Sequence, residues 1–479
     1  VVSAPRAIAL LTVLSLVWHL AWATTIPVPI DWDPAYYLDV ARNIADGRGA
    51  VSRSIWHLSG PELGLPVPAD LHWMPLPSRV LVPGVWLADS VGAAVTTSLL
   101  ACGWVPVTAA LARVVGGNPR MEIFAAAMAA FGGGYVRFLS TPDSIALYGL
   151  LGAGAILAAC RLQLWPAVVA CVLAALTRGD GFVLAFGVAL PFLLSQRRWA
   201  ALAVSVSGPL ATGAWYVRNL AVGGPGWLEA RARVGNAVHI HDLLLGDVGT
   251  LPLGSRLAGV LVMFQNALQV AVVVGLVLLP ALALVGAVRQ RRRPLLVVAL
   301  MCGVLLPLVT GLLAPGVAAS GTAFRSGAAL FPVCCVLAAD GALFLGHVGH
   351  QRRGYPKWLV PGIVGVGLLV GTVAAGVGTW RARPVPVVDC EALRRVDGPI
   401  FTGQPLEVTA QCEVTTVALF RGEDPAQVAQ RGADLGVRFA WLPPTSSHSL
   451  VPTQGDAPYL IPGWIEQSPS FFAAPNGGQ

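Results

Sequence analysis

Asp31 and Asp33 stand two residues apart in "DWDPAYYLDVARNIADGRG" (31–49), directly behind an apolar N-terminal stretch. Paired carboxylates there suit a general base, a divalent-metal ligand, or both. Ionisable groups at a membrane edge cost free energy and tend to be functional. A purely structural alternative exists for Asp33. Followed by Pro34 it makes a good helix start, with Asp as N-cap and Pro at the first helical position. Gly47 or Gly49 supplies the stop. Between them Tyr37, Val40, Ala41 and Ile44 form one apolar stripe at helical spacing, so the stretch predicts a short amphipathic helix lying along a membrane surface. Capping accounts for Asp33 and leaves Asp31 unexplained.

Cations fall at matching places. Arg178, Arg218 and Arg325 lie at same-side ends of apolar segments, the depth of a lipid phosphate. A guanidinium there makes bidentate contacts to phosphate, or it snorkels to headgroups. "RARVGNAVHIHDLLLGD" brings His239, His241 and Asp242 close in sequence. His-x-His with one acid is an incomplete metal set, and a helix end near the site is the other reading. A Mg or Mn ion, if one is used, is expected on Asp31, Asp33 and His241. His57 and His72 are either substrate contacts or ordinary polar loop residues.

The chain that must position these groups has 479 residues, is 55% hydrophobic and has a mean hydropathy of +0.69. That exceeds what a soluble core needs. Apolar windows of about 20 residues predict spans near 6–26, 84–112, 121–139, 143–160, 163–176, 181–195, 199–217, 256–288, 294–313, 328–346 and 358–380, about eleven in all, the fifth and sixth being short. Of 31 basic residues only Lys357 is a lysine, so the formal +7 is an arginine charge. Arg113, Arg120, Arg161, Arg197, Arg198, Arg289, Arg291 to Arg293, Arg352, Arg353 and Lys357 fall on one side of the predicted bundle, which the positive-inside rule makes cytoplasmic. Asp31, Asp33, Asp39, Asp46, Glu62, Asp70, Asp143, Asp180, Glu229, Asp242 and Asp247 fall on the other. No basic run interleaves with aromatics outside the loops, which argues against nucleic acid. Asp340 lies within a span near its cytoplasmic end and reads as a structural partner in the bundle.

The expected architecture is an α-helical polytopic domain over 1–383, with outer loops near 27–83 and 220–255. A hydrophilic tail over 384–479 faces the same side as those loops. In the tail, "GPIFTGQPLEV", "TTVALF" and "VRFAWLPP" read as strands and "CEALRRV" and "DPAQVAQRGADLG" as helices, a small α/β domain that could fold on its own. Cys390 and Cys412 can pair in an oxidising compartment. Cys102, Cys160, Cys171, Cys302, Cys334 and Cys335 sit in spans as small apolar residues. The N-terminal "VVSAPRAIALLTVLSLVWHLAWA" also fits a cleavable signal ending at Ala21-Trp22-Ala23. There is no internal repeat.

The order Asp33, Tyr37, Ala41, Gly47 resembles the first outer loop of the GT-C glycosyltransferases. These multispan enzymes, among them protein O-mannosyltransferases and the lipid A aminoarabinose transferase, use polyprenyl-phosphate sugars as donors. "LHWMPLPSRVLVPGVWL" (71–87) is similar to the start of that family's second span, with Met74 where some relatives carry lysine. "STPDSIALYGLL" (140–151), "ALTRGDGFVLAF" (175–186), "GAWYVRNLAVGGPGWL" (213–228) and "FRSGAALFPVCCVLAADG" (324–341) resemble later elements in the same order, with Ser326 replacing a usual aromatic. The tail resembles, weakly, extracytoplasmic domains attached to some members.

The resemblance implies a membrane-embedded transferase moving a hexosyl or pentosyl group from a polyprenyl-phosphate donor, within membrane lipid, to a glycan, lipid or protein acceptor, with inversion. In it Asp33 is the catalytic base and Asp31 orients it or shares its ion. Arg218, Arg178, Arg325, Tyr37, His72 and His239 contact substrate. An arginine-, alanine- and valine-heavy composition points to a GC-rich bacterial genome and so to its inner membrane. The rival reading is a transporter or lipid flippase, which calls for ionisable groups at mid-membrane and repeated halves. The acids here concentrate in loops.

Overall fold

A computed structural model describes residues 3–25, 32–55, 64–236, 251–274, 278–289, 294–318, 322–381, 388–419, 423–442, 453–454, 464–468 and 470–474. Asp31, His57, His239, His241 and Asp242 lie outside them.

The chain opens with Ala4–Thr24 (α1), whose Pro5 suits a first turn. Trp32–Ala45 (α2) follows, then the two-residue strands Val51–Ser52 (β1), Ser54–Ile55 (β2) and Val67–Pro68 (β3). Leu76–Cys102 (α3) is broken at Ala88 and Asp89, the latter at φ 47°. Trp104–Val114 (α4) continues it, and Pro119–Phe131 (α5) returns. The span predicted near 121–139 stops early because Gly132 adopts φ 73° at the C-cap, a conformation glycine takes at little cost. Two short 3₁₀ turns then lead to Ser144–Cys160 (α6).

Leu164–Thr177 (α7), Phe182–Leu194 (α8) and Arg198–Asn236 (α9) come next, α9 being broken at Gly224 (φ 66°). Over the span predicted at 256–288 the described residues are helical at Leu253–Val274 (α10) and Leu278–Arg289 (α11). Pro294–Leu313 (α12), Pro315–Ala318 (α13), Thr322–Gly327 (α14), Phe331–Arg353 (α15) and Leu359–Arg381 (α16) complete the bundle. Among the described residues six helical stretches are long and apolar enough to cross a bilayer: Ala4–Thr24, Leu76–Val114, Arg198–Gly224, Pro294–Leu313, Phe331–Arg353 and Leu359–Val377. Four shorter apolar helices pack among them. The chain is a multi-pass membrane protein.

Small residues let these helices approach closely, as lipid-embedded packing requires. A Cβ on Gly286 of α11 would lie 1.9 Å from the Leu337 carbonyl of α15, and one on Gly341 would lie 2.2 Å from that of Leu282. Trp104, Tyr135, Tyr148, Phe192, Leu184 and Ile156 are fully buried in the core of the bundle. Asp340 meets Arg289 at 3.2 Å, the structural pairing expected of it.

The tail holds Cys390–Arg394 (α17), Ile400–Thr402 (β4), Pro405–Cys412 (α18), Thr416–Ala418 (β5), Pro425–Leu435 (α19), Phe439–Trp441 (β6), Ile465–Ser468 (β7) and Phe471–Ala473 (β8). "QPLEV", expected to extend the first strand, instead opens α18, because Pro405 at a first helical position starts a helix and cannot donate to a ladder. The sheet runs β2-β5-β4-β6-β8-β7, parallel from β2 to β6, with β8 and β7 antiparallel. Its edge strand β2 comes from the first loop, Ser54 pairing with Thr416 and Ile55 with Val417. A disulfide joins Cys390 to Cys412, tying α17 to α18.

Candidate active site

Helix α2 carries its apolar stripe inward. Ala35, Tyr36, Tyr37, Leu38, Val40 and Ala41 are all buried, against Leu81 and Val85 of α3 and Leu406 and Ala410 of α18. The helix is therefore walled in on both sides, by the bundle and by the tail. Asp33 sits in its first turn, one residue inside the start, so it is not the N-cap that its place before Pro34 implied. Its carboxylate is held from two directions. The Trp73 indole donates to Oδ1 at 3.0 Å, and the Arg325 guanidinium lies 3.1 Å from Oδ2.

Arg325 is shared. Its Nε lies 3.8 Å from Asp143, whose side chain is fully buried, while the Asp33 and Arg325 side chains are 16% and 17% exposed. Asp143 caps α6, accepting from the Ile145 amide. Arg325 rides on α14, which Tyr135 fixes by donating to the Phe324 carbonyl at 2.6 Å. The neighbouring Ser326 contacts Asp180. Asp180 in turn holds Arg178 at 3.0 Å, and the Arg178 guanidinium stacks over the Tyr148 ring at 5.6 Å. Burial works against the Arg178 charge, but Asp180 outweighs it and raises its pKa, so the cation is kept.

Tyr37 sits among these groups. Burial, then the carboxylates of Asp33 and Asp143, hold its phenol well above the usual tyrosine range, against Arg178 and Arg325. It remains a neutral hydroxyl. Two chain turns, at 140–144 and 178–181, and the short helix α14 thus deliver two arginines and two further carboxylates around Asp33.

Arg218 faces elsewhere. It donates to the Ala69 carbonyl at 2.8 Å and to Asn219 Oδ1 at 2.6 Å. The rest of its "WYVRN" surroundings does the same work. Trp215 and Asn219 both donate to the Asp70 carbonyl (2.9 and 2.8 Å), Trp227 to that of Leu71 (2.6 Å) and Arg231 to that of His72 (3.1 Å). Four successive carbonyls of loop 69–72 are clamped by one face of α9. Asp70 there adopts φ 68°, which a non-glycine residue holds only where its surroundings over-determine it. The Tyr36 hydroxyl accepts from the Asp70 amide at 2.6 Å.

The clamp aims Trp73, the next residue, at Asp33. His72 accepts from Arg231 at Nδ1 (2.7 Å), since arginine only donates, and its ring meets Trp73 edge-on. Met74 is buried against Trp215 and Trp227.

The structure therefore gathers Asp33, Tyr37, Arg178 and Arg325, sets His72 one residue from the Trp73 contact, and turns Arg218 towards the loop backbone. Trp73, Asp143, Asp180 and Arg231 were not anticipated as site residues. Asp143 and Asp180 carried a usable signal, being acids in the short turns "TPDS" and "RGDG" on the same side as Asp33. Trp73 carried none. Among the described residues no three His, Cys, Asp or Glu side chains form a metal-holding group. Asp31 and His241, the other two residues expected to hold an ion with Asp33, lie outside the described residues.

No protein-family model and no curated protein matches this chain. Solved structures do. The oligosaccharyltransferase of Archaeoglobus fulgidus, in its apo form, superposes with a TM-score of 0.52 at 12% identity, over 91% of this chain and 69% of that one. ArnT from Cupriavidus metallidurans, bound to undecaprenyl phosphate, gives 0.51 at 13% identity, over 89% and 87%. Both are GT-C glycosyltransferases. A bundle with a carboxylate-bearing loop helix and an attached small sheet, similar in shape over most of its length to these two enzymes, has the GT-C fold.

Proposed function

We propose that the protein is a glycosyltransferase that moves a sugar from a polyprenyl-phosphate donor to an acceptor hydroxyl or amine on the non-cytoplasmic side of the membrane. The observation that carries this reading is the Asp33–Arg325–Asp143 arrangement in a GT-C fold, with Arg178 beside it. A carboxylate next to arginines provides both halves of the chemistry. Asp33 takes the proton as the acceptor attacks the anomeric carbon. The bond from that carbon to the phosphate oxygen breaks, its electron pair leaves with the polyprenyl phosphate, and the guanidinium groups stabilise the charge that develops there. One displacement inverts the anomeric centre.

In the resting site the carboxylates occupy the arginines. A donor phosphate offers Arg325 and Arg178 a second anionic partner of matching geometry. Arg325 passing from Asp33 to the phosphate would leave Asp33 able to accept a proton. Tyr37, kept neutral, is a hydrogen-bond donor for either the phosphate or the sugar. The acceptor is a glycan, a lipid or a protein, and the sugar a hexose or a pentose. The arginine-rich loops at the other end of the helices, together with the Cys390–Cys412 disulfide, support a site facing away from the cytoplasm of a bacterial inner membrane.

The test is transfer by the purified protein in nanodiscs, offered radiolabelled polyprenyl-phosphate mannose, arabinose or glucose, with Asp33→Asn alongside. Turnover with one donor and its loss in the variant is expected. Undiminished turnover by Asp33→Asn refutes the base assignment, and no transfer from any polyprenyl-phosphate sugar refutes the donor class.

A further inference from the structure

Helix α2 is held at both ends, and only the first turn is explained by the site. At its far end Arg42 is buried, at 8% exposure, with all three guanidinium nitrogens engaged. Nε and Nη2 donate to the two oxygens of Asp89 at 2.6 and 2.7 Å, and Nη1 donates to the Ala410 carbonyl at 2.6 Å. These partners belong to different parts of the chain. Asp89 lies at the break in α3, and Ala410 lies in α18, two residues before the disulfide-bonded Cys412.

We infer that Arg42 is a positioning residue through which the C-terminal region sets the aim of Asp33. The inference rests on the proposed role of Asp33. A bidentate pair to a carboxylate fixes direction as well as distance. Adding a carbonyl on the third nitrogen leaves the guanidinium one orientation. Because Arg42 is nine residues from Asp33 on one helix, a rotation or slide of α2 at this end is carried to the other. Nothing soft intervenes: the intervening face, from Ala35 to Ala41, packs on Leu406 and Ala410 of the same tail helix.

A second connection runs parallel to the first. Asp39, fully buried, accepts from Arg53 at Nε (2.9 Å) and at its backbone amide (2.9 Å), and Arg53 Nη1 donates to the Glu413 carbonyl just past α18. The next residue, Ser54, begins the strand that enters the tail sheet. The tail is thus the far wall of the catalytic helix. A misplacement of about 1 Å at a reacting group can lower turnover about 100-fold, so this wall bears on rate.

Arg42→Lys tests the inference in the full-length protein, since lysine keeps the charge and loses the fork. With the radiolabelled polyprenyl-phosphate sugar that the wild type turns over, kcat is expected to fall by about tenfold or more while donor KM changes less than about twofold. In an Asp33→Asn background the same substitution is expected to add no further loss. Loss of folded protein would lower the apparent kcat with KM unchanged, so kcat is referred to the folded fraction recovered by size-exclusion chromatography. A merely structural role would then leave kcat per folded molecule at the wild-type value, and its loss of yield would persist in that background. Unchanged kcat in Arg42→Lys overturns the inference.

A second readout does not depend on activity. Spin labels at Asp46→Cys and Ala429→Cys report the distance from α2 to the tail. A distribution that broadens in Arg42→Lys supports the coupling, and one that stays as narrow as wild type overturns it. If the wild type transfers no sugar, the functional reading fails by itself, and the distance measurement still decides whether Arg42 fixes α2.

Discussion

Two arginine-rich regions meet at this end of the bundle, and they use the same side chain in opposite ways. Around Asp33, Arg325 and Arg178 face carboxylates. Along α9, Arg218 and Arg231 face backbone carbonyls of loop 69–72. A guanidinium paired with carboxylates is exchangeable, because a phosphate offers it a like partner. One that satisfies a buried carbonyl is not, because leaving exposes an unpaired acceptor costing about 1–3 kcal/mol. The lesson is that arginine at lipid-phosphate depth is ambiguous until its acceptor is known. One region handles charge; the other holds shape.

The sharpest way to break this contrast is at Asp33 itself. Asp33→Asn is expected to lower transfer by about 10²–10⁴-fold, read as radiolabel moved per enzyme, with the protein still folded. Next comes Arg325→Gln, expected to lower kcat by about 10²–10³-fold and to raise the donor KM. A variant that binds donor normally would place Arg325 with the shape-holding group.

On the other side, Asn219→Leu removes one of the two donors to the Asp70 carbonyl and is expected to cost about 1–2 kcal/mol of stability, read as a lower unfolding midpoint in detergent. Its kcat should fall by less than that of Arg325→Gln, since Trp215 still holds the loop. A donor-affinity loss in Asn219→Leu larger than in Arg325→Gln would reverse the assignment. The smallest effect on turnover is expected from Cys390→Ser with Cys412→Ser. It should loosen α18, raise protease sensitivity in the tail, and reduce kcat a few-fold through the Ala410 contact.

How much of this was legible in the sequence depended on what each signal measures. Hydropathy reports transfer to an apolar phase, so it located the helices. Charge sidedness then put Asp33, Arg178 and Arg325 at one end. Both are local or summed properties. Helix breaks were less legible: the interruption at Asp89 lies within an apolar run, where composition hardly changes, whereas that at Gly224 falls in "GGPG", at the start of the expected outer loop.

The destination of a donor was not legible at all. "WYVRN" marked an important place, but that Trp215, Arg218 and Asn219 serve the carbonyls of a loop some 150 residues earlier is a fact of tertiary arrangement. The same applies to Trp73. Strands "IFT", "TVA" and "FAW" were recognisable by their apolar runs, whereas β2, two residues long in a polar loop, gave no periodicity to detect.

That short strand has a consequence for how the molecule comes into being. Ser54 finds Thr416 only after more than 350 intervening residues have been synthesised and threaded through the bilayer. Until then the ribosome-emerged loop presents an open hydrogen-bonding rim with no mate, a state prone to off-pathway association. Completion of this sheet should therefore come late, on arrival of the carboxyl-terminal segment.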